Sequence, residues 1–473
     1  MQISKPAPEG DRKIPWCLAI ALFVLAELFS LNVYRAATQS ITTDEAFSYV
    51  HFIDPDRFAL LRDYSANVHF LHALLVFCSV KLFGLSELSL RLPSLLGCAL
   101  YFSAVWKICR RRFGNRVACI VGVLLLTANP LIEDHMSASR GYGLGLALFA
   151  WAFYAAWLAI EADHPPQKHL LQIAILSALS ATSNLTFLFP TAALMAVVAW
   201  MLWQRSAGVR PVALLNDLLN NMVGPWLVLV FVVMVIPLSR VGPNTFYFGA
   251  ATIHDAVLSL VQMSGGGAYI SGPESSWIGA ALFIGCLALF AVLFRRSKQS
   301  PVNALELLTA GTFVVTAVGL VVGHVVLGLA YPLARTGIYL LFLGLLSGLW
   351  IGRWRLGLVA LILLCIGMLH GIRTDRYQEW ELDADNRQLA QALMSRHQEG
   401  ESTRVFTSSF LDQSLMFYQR MYGLNWISEI NSLDWKPGYD YVMLWSISHD
   451  ELQTRGLRPV YTGPRGAILA VPK

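Results

Sequence analysis

The chain has 473 residues, of which 56% are hydrophobic and only 14% are charged, and its mean hydropathy is +0.54. This composition indicates a polytopic membrane protein and excludes an ordinary soluble enzyme. The net charge of +5 is modest, and Lys and Arg stand in short clusters between apolar runs. Such clusters indicate membrane topology and not a nucleic-acid partner. The seven cysteines lie scattered in apolar runs, so we expect no disulfide framework and no thiolate metal site.

Apolar runs of spanning length recur along the first part of the chain. We predict about 11 transmembrane helices at 14–33, 90–109, 117–131, 141–160, 169–183, 184–203, 219–239, 277–294, 304–329, 337–351 and 355–370. Residues 1–370 then form a transmembrane module. Its first run follows basic residues and resembles an uncleaved signal anchor, which places the N-terminus in the cytoplasm of a multi-pass inner (plasma) membrane protein.

The basic clusters between these runs indicate which loops are cytoplasmic. Arg110-Arg111-Arg112 falls on that side only if the apolar run at 68–83 does not cross the membrane. That run is about 16 residues long and contains polar residues, which favours an interfacial helix over a span. With this choice the extracytoplasmic segments are 34–89, 131–140, 240–276, 330–336 and everything after about 371.

The last hundred residues differ in composition from the rest. A helix-like run at 383–393 precedes three strand-like runs at 403–407, 439–445 and 467–471. Helical and strand-like runs in alternation are typical of an α/β domain. We therefore predict a small soluble α/β domain over residues 371–473, on the extracytoplasmic side.

Two acidic pairs follow apolar runs on the same predicted side of the membrane. Asp44-Glu45 follows the first run and Glu133-Asp134 follows a later one. Because both loops face one compartment, the four carboxylates can converge on one hydrated site. That arrangement suits chemistry on a lipid-linked substrate better than it suits a pore.

Several short motifs carry a resemblance to a known family. They are Asp44-Glu45-Ala46, His69, the run from Lys81 to Ser94, Ser139-Arg140-Gly141-Tyr142 and Tyr331-Pro332-Leu333-Ala334-Arg335. With them the chain resembles the bacterial glycosyltransferases related to protein O-mannosyltransferases, the family 39-like branch of the GT-C superfold. Lipid A aminoarabinose transferases and the catalytic subunit of oligosaccharyltransferase are more distant relatives. One departure is His69-Phe70-Leu71, where relatives often have His-Pro-Pro.

The resemblance implies an inverting glycosyltransferase embedded in the bilayer. Its donor is a polyprenyl-phosphate-linked sugar, its acceptor is a glycan, a lipid or a protein, and its active site faces away from the cytoplasm. Because a phosphate monoester is a good leaving group, the chemistry needs a base for the acceptor hydroxyl and positive charge for the phosphate. We assign the base to Asp44, with Glu45 as the second choice. The alternative is that Asp44 caps a helix beginning at Ala46.

The remaining candidate residues have a possible function and a simpler structural alternative. Glu133, Asp134 and His135 could position the acceptor or hold a divalent cation with Asp44; the alternative is a solvated loop. The candidates for binding the lipid phosphate are Arg140, Arg335, Arg91 and His69, and for the arginines the alternative is snorkelling at the membrane interface. The glycine-rich segment 264–267 suits a mobile lid or a plain linker equally well.

Two other classes of function compete with a glycosyltransferase. A transporter or lipid flippase should show repeated halves and charges near the middle of the membrane. The charged residues of this chain lie mainly at the ends of the predicted spans. A membrane-anchored assembly protein without activity is the third possibility, and it would not need Asp44 together with Arg140 and Arg335.

Overall fold

The computed structural model describes residues 15–63, 65–162, 167–205, 211–240, 248–267, 304–433, 438–445 and 449–473. Within these residues the first part of the chain is a helical bundle and the last part is a small domain with a five-stranded sheet. The bundle helices are α1 Trp16–Thr38, α2 Thr43–Ser48, α3 Phe70–Phe83, α4 Glu87–Phe113, α5 Val117–Thr127, α6 Pro130–Ser137, α7 Gly141–Glu161, α8 Gln167–Ser183, α9 Leu188–Arg205, α10 Pro211–Leu218, α11 Gly224–Leu238, α12 Ile253–Ser264, α13 Ala304–Leu327, α14 Ile338–Gly348 and α15 Arg355–Gly371.

Among the described residues, seven helices are long and apolar enough to cross a membrane, or eight if the bent pair α5 and α6 counts as one span. The prediction of a polytopic helical membrane protein is therefore confirmed. Each predicted span within the described residues coincides with a helix, and the predicted span at 277–294 lies outside them. The predicted span 117–131 differs in form, since its helix breaks at Ala128-Asn129 and turns by 66° into α6.

Small residues bring the central helices of the bundle close together. An added Cβ at Gly97 of α4 would lie only 3.0 Å from the backbone of Leu144 in α7. The same end of α7 is packed against α8 and α3 through Gly141, whose added Cβ would lie 2.6 Å from Cβ of His69. Such close backbone approach is common where helices associate in membranes. It positions the start of α7, which carries Arg140, against the start of α3.

The two ends of the bundle differ in their charged contacts. At one end Arg111 pairs with Glu161 at 2.6 Å and Arg112 pairs with Glu306 at 2.8 Å, so the end of α4 lies beside the end of α7 and the start of α13. At the other end lie α2, the start of α4 and the C-terminal domain. Asp44 and the second acidic pair lie toward this other end.

Helix α3 lies across the start of α4. His72 is hydrogen-bonded to Ser94 at 3.1 Å, and the hydroxyl of Ser79 donates to the carbonyl oxygen of Ser89 at 2.6 Å. Both halves of α3 thus contact the first two turns of α4. A helix placed in this way begins and ends at the same end of the bundle.

The C-terminal domain contains a mixed sheet with the order β2-β1-β3-β5-β4. Strand β1 is parallel to β2 and β3, whereas β5 is antiparallel to β3 and β4. The strands are β1 Thr403–Thr407, β2 Ile427–Asn431, β3 Tyr441–Leu444, β4 Leu457–Thr462 and β5 Ile468–Pro472, and the helices are α16 Asn386–Met394, α17 Leu411–Tyr422 and α18 His449–Thr454. The three predicted strands match β1, β3 and β5. The prediction missed β2 and β4, which are the half-exposed edge strands and carry a weaker apolar signal.

The C-terminal domain is bound firmly to the loop that carries the first acidic pair. The hydroxyl of Tyr418 donates to Glu87 at 3.0 Å and accepts from the backbone amide of Ile41 at 3.0 Å. Asp383 accepts from the amide of Thr43 at 2.7 Å. The domain therefore positions the backbone at the start of α2.

Candidate active site

Asp44 is not the residue that caps α2. The cap is Thr42: its hydroxyl accepts from the amide of Glu45 at 3.2 Å, and Glu45 accepts from the amide of Thr42 at 2.9 Å. This reciprocal pair is a capping box. The alternative that Asp44 caps a helix beginning at Ala46 is therefore wrong, because the helix begins three residues earlier, at Thr43.

Asp44 lines a pocket at the end of the bundle opposite to the basic cluster. The pocket encloses about 760 Å³, including its opening, and has a polar side and an apolar side. Its polar side is formed by Asp44, Asn67, His69, Tyr142, Asn184 and Arg335. Met234, Phe248 and Leu185 contribute to the apolar side. A pocket of this composition can accept a ligand with a charged head and an apolar tail.

The Asp44 carboxylate is held by four neighbours. Oδ2 lies 3.1 Å from Nη2 of Arg335 and 3.9 Å from Nη2 of Arg140, and it accepts from Nε1 of Trp380 at 3.2 Å. Oδ1 accepts from Nδ2 of Asn67 at 3.1 Å. Burial alone would raise the pKa of Asp44, but the two arginines and the two hydrogen bonds outweigh it and lower the pKa to about 2. Asp44 is therefore ionised at neutral pH, and 20% of its side chain is exposed toward the pocket.

Arg335 is shared between Asp44 and a carboxylate that the sequence analysis missed. Nη1 of Arg335 donates to Oε1 of Glu379 at 2.6 Å, and its guanidinium carbon lies 4.7 Å and 5.4 Å from the ring centres of Phe248 and Trp380. Burial alone would raise the pKa of Glu379, but the attraction of Arg335 outweighs burial and lowers this pKa. The sequence contained one signal for Glu379, because it is an acidic residue among aromatic residues just after the last apolar helix.

Arg140 lies behind Asp44 and outside the lining of this pocket. It is 2% exposed, and its Nη1 donates to the hydroxyl of Ser48 at 3.2 Å while Nη2 donates to Oδ1 of Asn67. Both Ser48 and Asn67 neighbour Asp44. Arg140 therefore orders the surroundings of Asp44, whereas Arg335 is the arginine in the pocket wall.

Glu45 and Arg91 form a separate, fully buried ion pair. Nε and Nη2 of Arg91 donate to the two oxygens of Glu45 at 2.9 and 2.7 Å, and neither side chain is exposed. Arg91 also donates to backbone carbonyls of the loop after α1, including that of Gln39 at 2.7 Å. Burial opposes the shift, but Arg91 keeps the pKa of Glu45 below its ordinary value. Neither residue lines the pocket that contains Asp44, so neither contacts a ligand bound there.

The second acidic pair is placed inside the bundle by the bend into α6. Glu133 accepts from Nδ2 of Asn32 at 2.6 Å, and Asp134 pairs with Arg35 and accepts from the amide of Gln378 at 2.6 Å. All three residues Glu133, Asp134 and His135 are buried and absent from the pocket lining. The described ranges contain no group of three or more His, Cys, Asp or Glu side chains that could hold a metal ion. The structure thus separates this pair from Asp44.

His69 reaches the pocket at the start of α3. Its ring lies 4.8 Å from that of Tyr142, and Nε2 is 3.4 Å from Nδ2 of Asn184. Burial and the nearby Arg140 lower the pKa of His69 well below its ordinary value. A neutral His69 can donate or accept a hydrogen bond, but it contributes no positive charge for a phosphate.

The glycine-rich segment packs against the last helix of the bundle. Gly266 has a positive φ of 80°, and an added Cβ there would lie 2.5 Å from Cα of Gly371. Glycine is required at this position for both reasons. Residues 268–303, which follow the segment, lie outside the described part of the chain.

Comparisons with known proteins agree with this architecture. The family model of the dolichyl-phosphate-mannose-protein mannosyltransferases matches residues 68–238. The crystal structure of ArnT from Cupriavidus metallidurans bound to undecaprenyl phosphate has a TM-score of 0.55 and 13% identity, covering 96% of this chain and 97% of that one. This chain has the GT-C fold. The apo structure of the same ArnT is similar at 15% identity and a TM-score of 0.55, with the same coverage.

A further solved structure is similar to part of this chain. Arabinosyltransferase EmbB from Mycobacterium smegmatis has a TM-score of 0.45 and 12% identity, and the match covers 73% of this chain and 32% of EmbB. No curated protein matches this chain in sequence. The expected resemblance to protein mannosyltransferases and to the aminoarabinose transferases is thus confirmed.

Proposed function

We propose that this GT-C protein is an inverting glycosyltransferase that moves a sugar from a polyprenyl-phosphate donor to an acceptor hydroxyl on the extracytoplasmic side of the inner membrane. The observation that carries the proposal is the pairing of Asp44 with Arg335 at 3.1 Å in a pocket that also has an apolar wall. One group can take a proton and the other can hold a phosphate. The similarity in fold to ArnT bound to undecaprenyl phosphate supports the choice of donor.

In the proposed reaction, Asp44 acts on the acceptor and Arg335 acts on the donor. The acceptor oxygen attacks the anomeric carbon of the sugar, and the bond from that carbon to the phosphate oxygen breaks on the opposite face. The hydroxyl proton passes to Asp44, and the electron pair leaves with the polyprenyl phosphate. Arg335 stabilises the charge that develops on the phosphate, since its planar guanidinium can bind two oxygens at once.

Donor binding should activate Asp44. With its pKa at about 2, the carboxylate of the empty pocket is a weak base, because Arg335 and Arg140 stabilise its charge. A phosphate that binds Arg335 withdraws the nearer of the two arginines from Asp44. The pKa of the carboxylate then rises, so that it becomes a better base only once the donor is in place.

The other candidates receive supporting roles in this proposal. Arg140 keeps Asp44 oriented through Ser48 and Asn67, to both of which it donates hydrogen bonds. Glu45 and Arg91 lock the loop that carries Asp44. None of these roles requires a divalent cation.

Asp44→Asn tests the proposed base. The amide keeps the size of the side chain but cannot take the proton, so transfer should fall on the order of 10²–10⁴-fold. The assay mixes purified protein, a radiolabelled polyprenyl-phosphate sugar and an envelope extract as acceptor source, and follows label out of the donor lipid. Asp63→Asn, on the same loop and outside the pocket lining, is the matched control and should transfer normally. Near-normal transfer by Asp44→Asn would exclude Asp44 as the base.

The side of the membrane is tested through the turn between α3 and α4. Leu85 and Leu88 are replaced singly by Cys in a background without the native cysteines. Because both halves of α3 contact the start of α4, we expect an impermeant thiol reagent to label both positions from outside the cell. Labelling only from the cytoplasmic side would overturn the proposed orientation and the extracytoplasmic site.

A further inference from the structure

One guanidinium in the pocket is shared by two carboxylates, and only one of them has a role in the proposed reaction. Nη2 of Arg335 lies 3.1 Å from Asp44, and Nη1 donates to Glu379 at 2.6 Å. The side chains of Arg335 and Glu379 are 13% and 12% exposed. Charges this well buried are screened little by salt. Both terminal nitrogens of Arg335 are therefore already occupied in the place where a phosphate would bind.

Glu379 has a second partner within reach. Its other oxygen, Oε2, lies 3.5 Å from Nε2 of the buried His135. Among the described residues, neither Glu379 Oε2 nor either ring nitrogen of His135 has a hydrogen-bond partner. In the tautomer that carries its proton on Nε2, His135 can donate to Glu379 after a small rotation of the carboxylate. Glu379 can thus release Arg335 without being left unpaired.

We infer that Glu379 is a positioning residue that competes with the lipid phosphate for Arg335. This inference rests on the proposed function. In the empty pocket Glu379 holds the guanidinium beside Asp44. When the donor binds, its phosphate takes the place of Glu379, which turns to His135. When the reaction is over, the return of Glu379 to Arg335 helps the product to leave.

The charges of donor and product explain why such a competitor is useful. The donor is a phosphodiester with one negative charge, whereas the product is a phosphate monoester that carries between one and two negative charges at neutral pH. Arg335 should therefore hold the product more tightly than the donor. Release of a tightly held product often limits turnover. An internal carboxylate that takes back the contacts of Arg335 weakens the binding of both ligands by the same factor, and faster release matters most for the tightly held product.

The direction of the effect separates this role from a purely structural one. A carboxylate needed only to hold the segment after α15 in place would weaken lipid binding when removed, because the pocket would loosen. A competitor has the opposite effect: its removal strengthens lipid binding. Glu381 provides a matched control, since it lies two residues away, pairs with Arg376 at 2.9 Å and is 52% exposed.

The test titrates the full-length protein in detergent with undecaprenyl phosphate. Glu379→Gln should bind the lipid about tenfold more tightly than the wild type, and Glu381→Gln should bind it as the wild type does. In steady-state transfer with a polyprenyl-phosphate sugar, Glu379→Gln should lower both the donor KM and kcat. Glu379→Asp keeps the charge but is one methylene shorter, so it should tighten lipid binding by a smaller factor. It replaces Glu379→Gln as the test variant if the Gln variant does not fold.

The outcomes are distinguishable. Equal or weaker lipid binding by folded Glu379→Gln, next to a wild type that binds undecaprenyl phosphate, would overturn the role of Glu379 and leave the proposed function standing. A wild type that does not bind the lipid would overturn the proposed function and this inference with it. Tighter binding by Glu379→Gln but not by Glu381→Gln supports both.

Discussion

Replacing Glu45 by Gln tests whether the adjacent carboxylates of Asp44 and Glu45 have different roles. Glu45 receives two hydrogen bonds from Arg91, at 2.9 and 2.7 Å, and neither side chain is exposed. An amide cannot neutralise the guanidinium and offers one acceptor where two are needed. Breaking a buried pair by removing one partner costs about 3–5 kcal/mol, because the other charge remains buried without compensation. Glu45→Gln should therefore lower the Tm of the purified protein strongly, and Asp44→Asn should lower it less, because Arg335 keeps its pairing with Glu379.

The assay is thermal unfolding in detergent, followed by transfer activity of the fraction that remains folded. Glu161→Gln is the matched control, because Glu161 pairs with Arg111 in a half-exposed position where such pairs contribute roughly 0–1 kcal/mol. We expect the folded fraction of Glu45→Gln to retain transfer. A variant with wild-type Tm and no transfer would refute the reasoning, since Glu45 would then belong to the chemistry and not to the support of the loop.

Three further predictions follow from the site. Arg335→Ala should raise the donor KM by roughly 10–150-fold, which corresponds to the loss of one charge-assisted contact, and should leave the acceptor KM unchanged. A change in the acceptor KM alone would show that Arg335 binds the acceptor and not the donor. Since the pKa of Asp44 is about 2, the carboxylate is ionised above that value, and the pH profile of kcat/KM for the donor should show no acid limb from Asp44 between about pH 5 and about pH 8. Gly141→Ala would push a methyl group into the carbonyl oxygen of Ser183, so it should lower the free energy of unfolding by about 1–3 kcal/mol and lower the Tm accordingly. Gly344 has open space around it, so Gly344→Ala should leave the Tm unchanged.

The sequence was sufficient for the features that depend on neighbouring residues along the chain. Apolar runs of about 20 residues are needed to cross a bilayer, so the spans can be recognised locally. The same holds for β1 and β3, whose apolar runs are short and bounded by turn residues. Asp44 and Arg335 were both candidates from the sequence, because both stand at the ends of apolar runs on the same predicted side, and both line the pocket.

The sequence was less informative where a charged residue could serve either the site or the scaffold. Asp44 and Glu45 are adjacent and chemically alike, yet one lines the pocket and the other is paired with Arg91, 46 residues away. Arg140 and Arg335 both precede a helix on the same side, yet only Arg335 is in the pocket wall.

Only the tertiary structure decided the positions of the second acidic pair and of Glu379. The break before α6 turns Glu133 and Asp134 into the bundle, where Asn32 and Arg35 of α1 bind them. Glu379 reaches Arg335 because the chain after α15 passes beside Arg335 and Asp44 before it enters the C-terminal domain. The physical reason is that the role of a buried charge depends on which opposite charges surround it, and those neighbours come from distant parts of the chain.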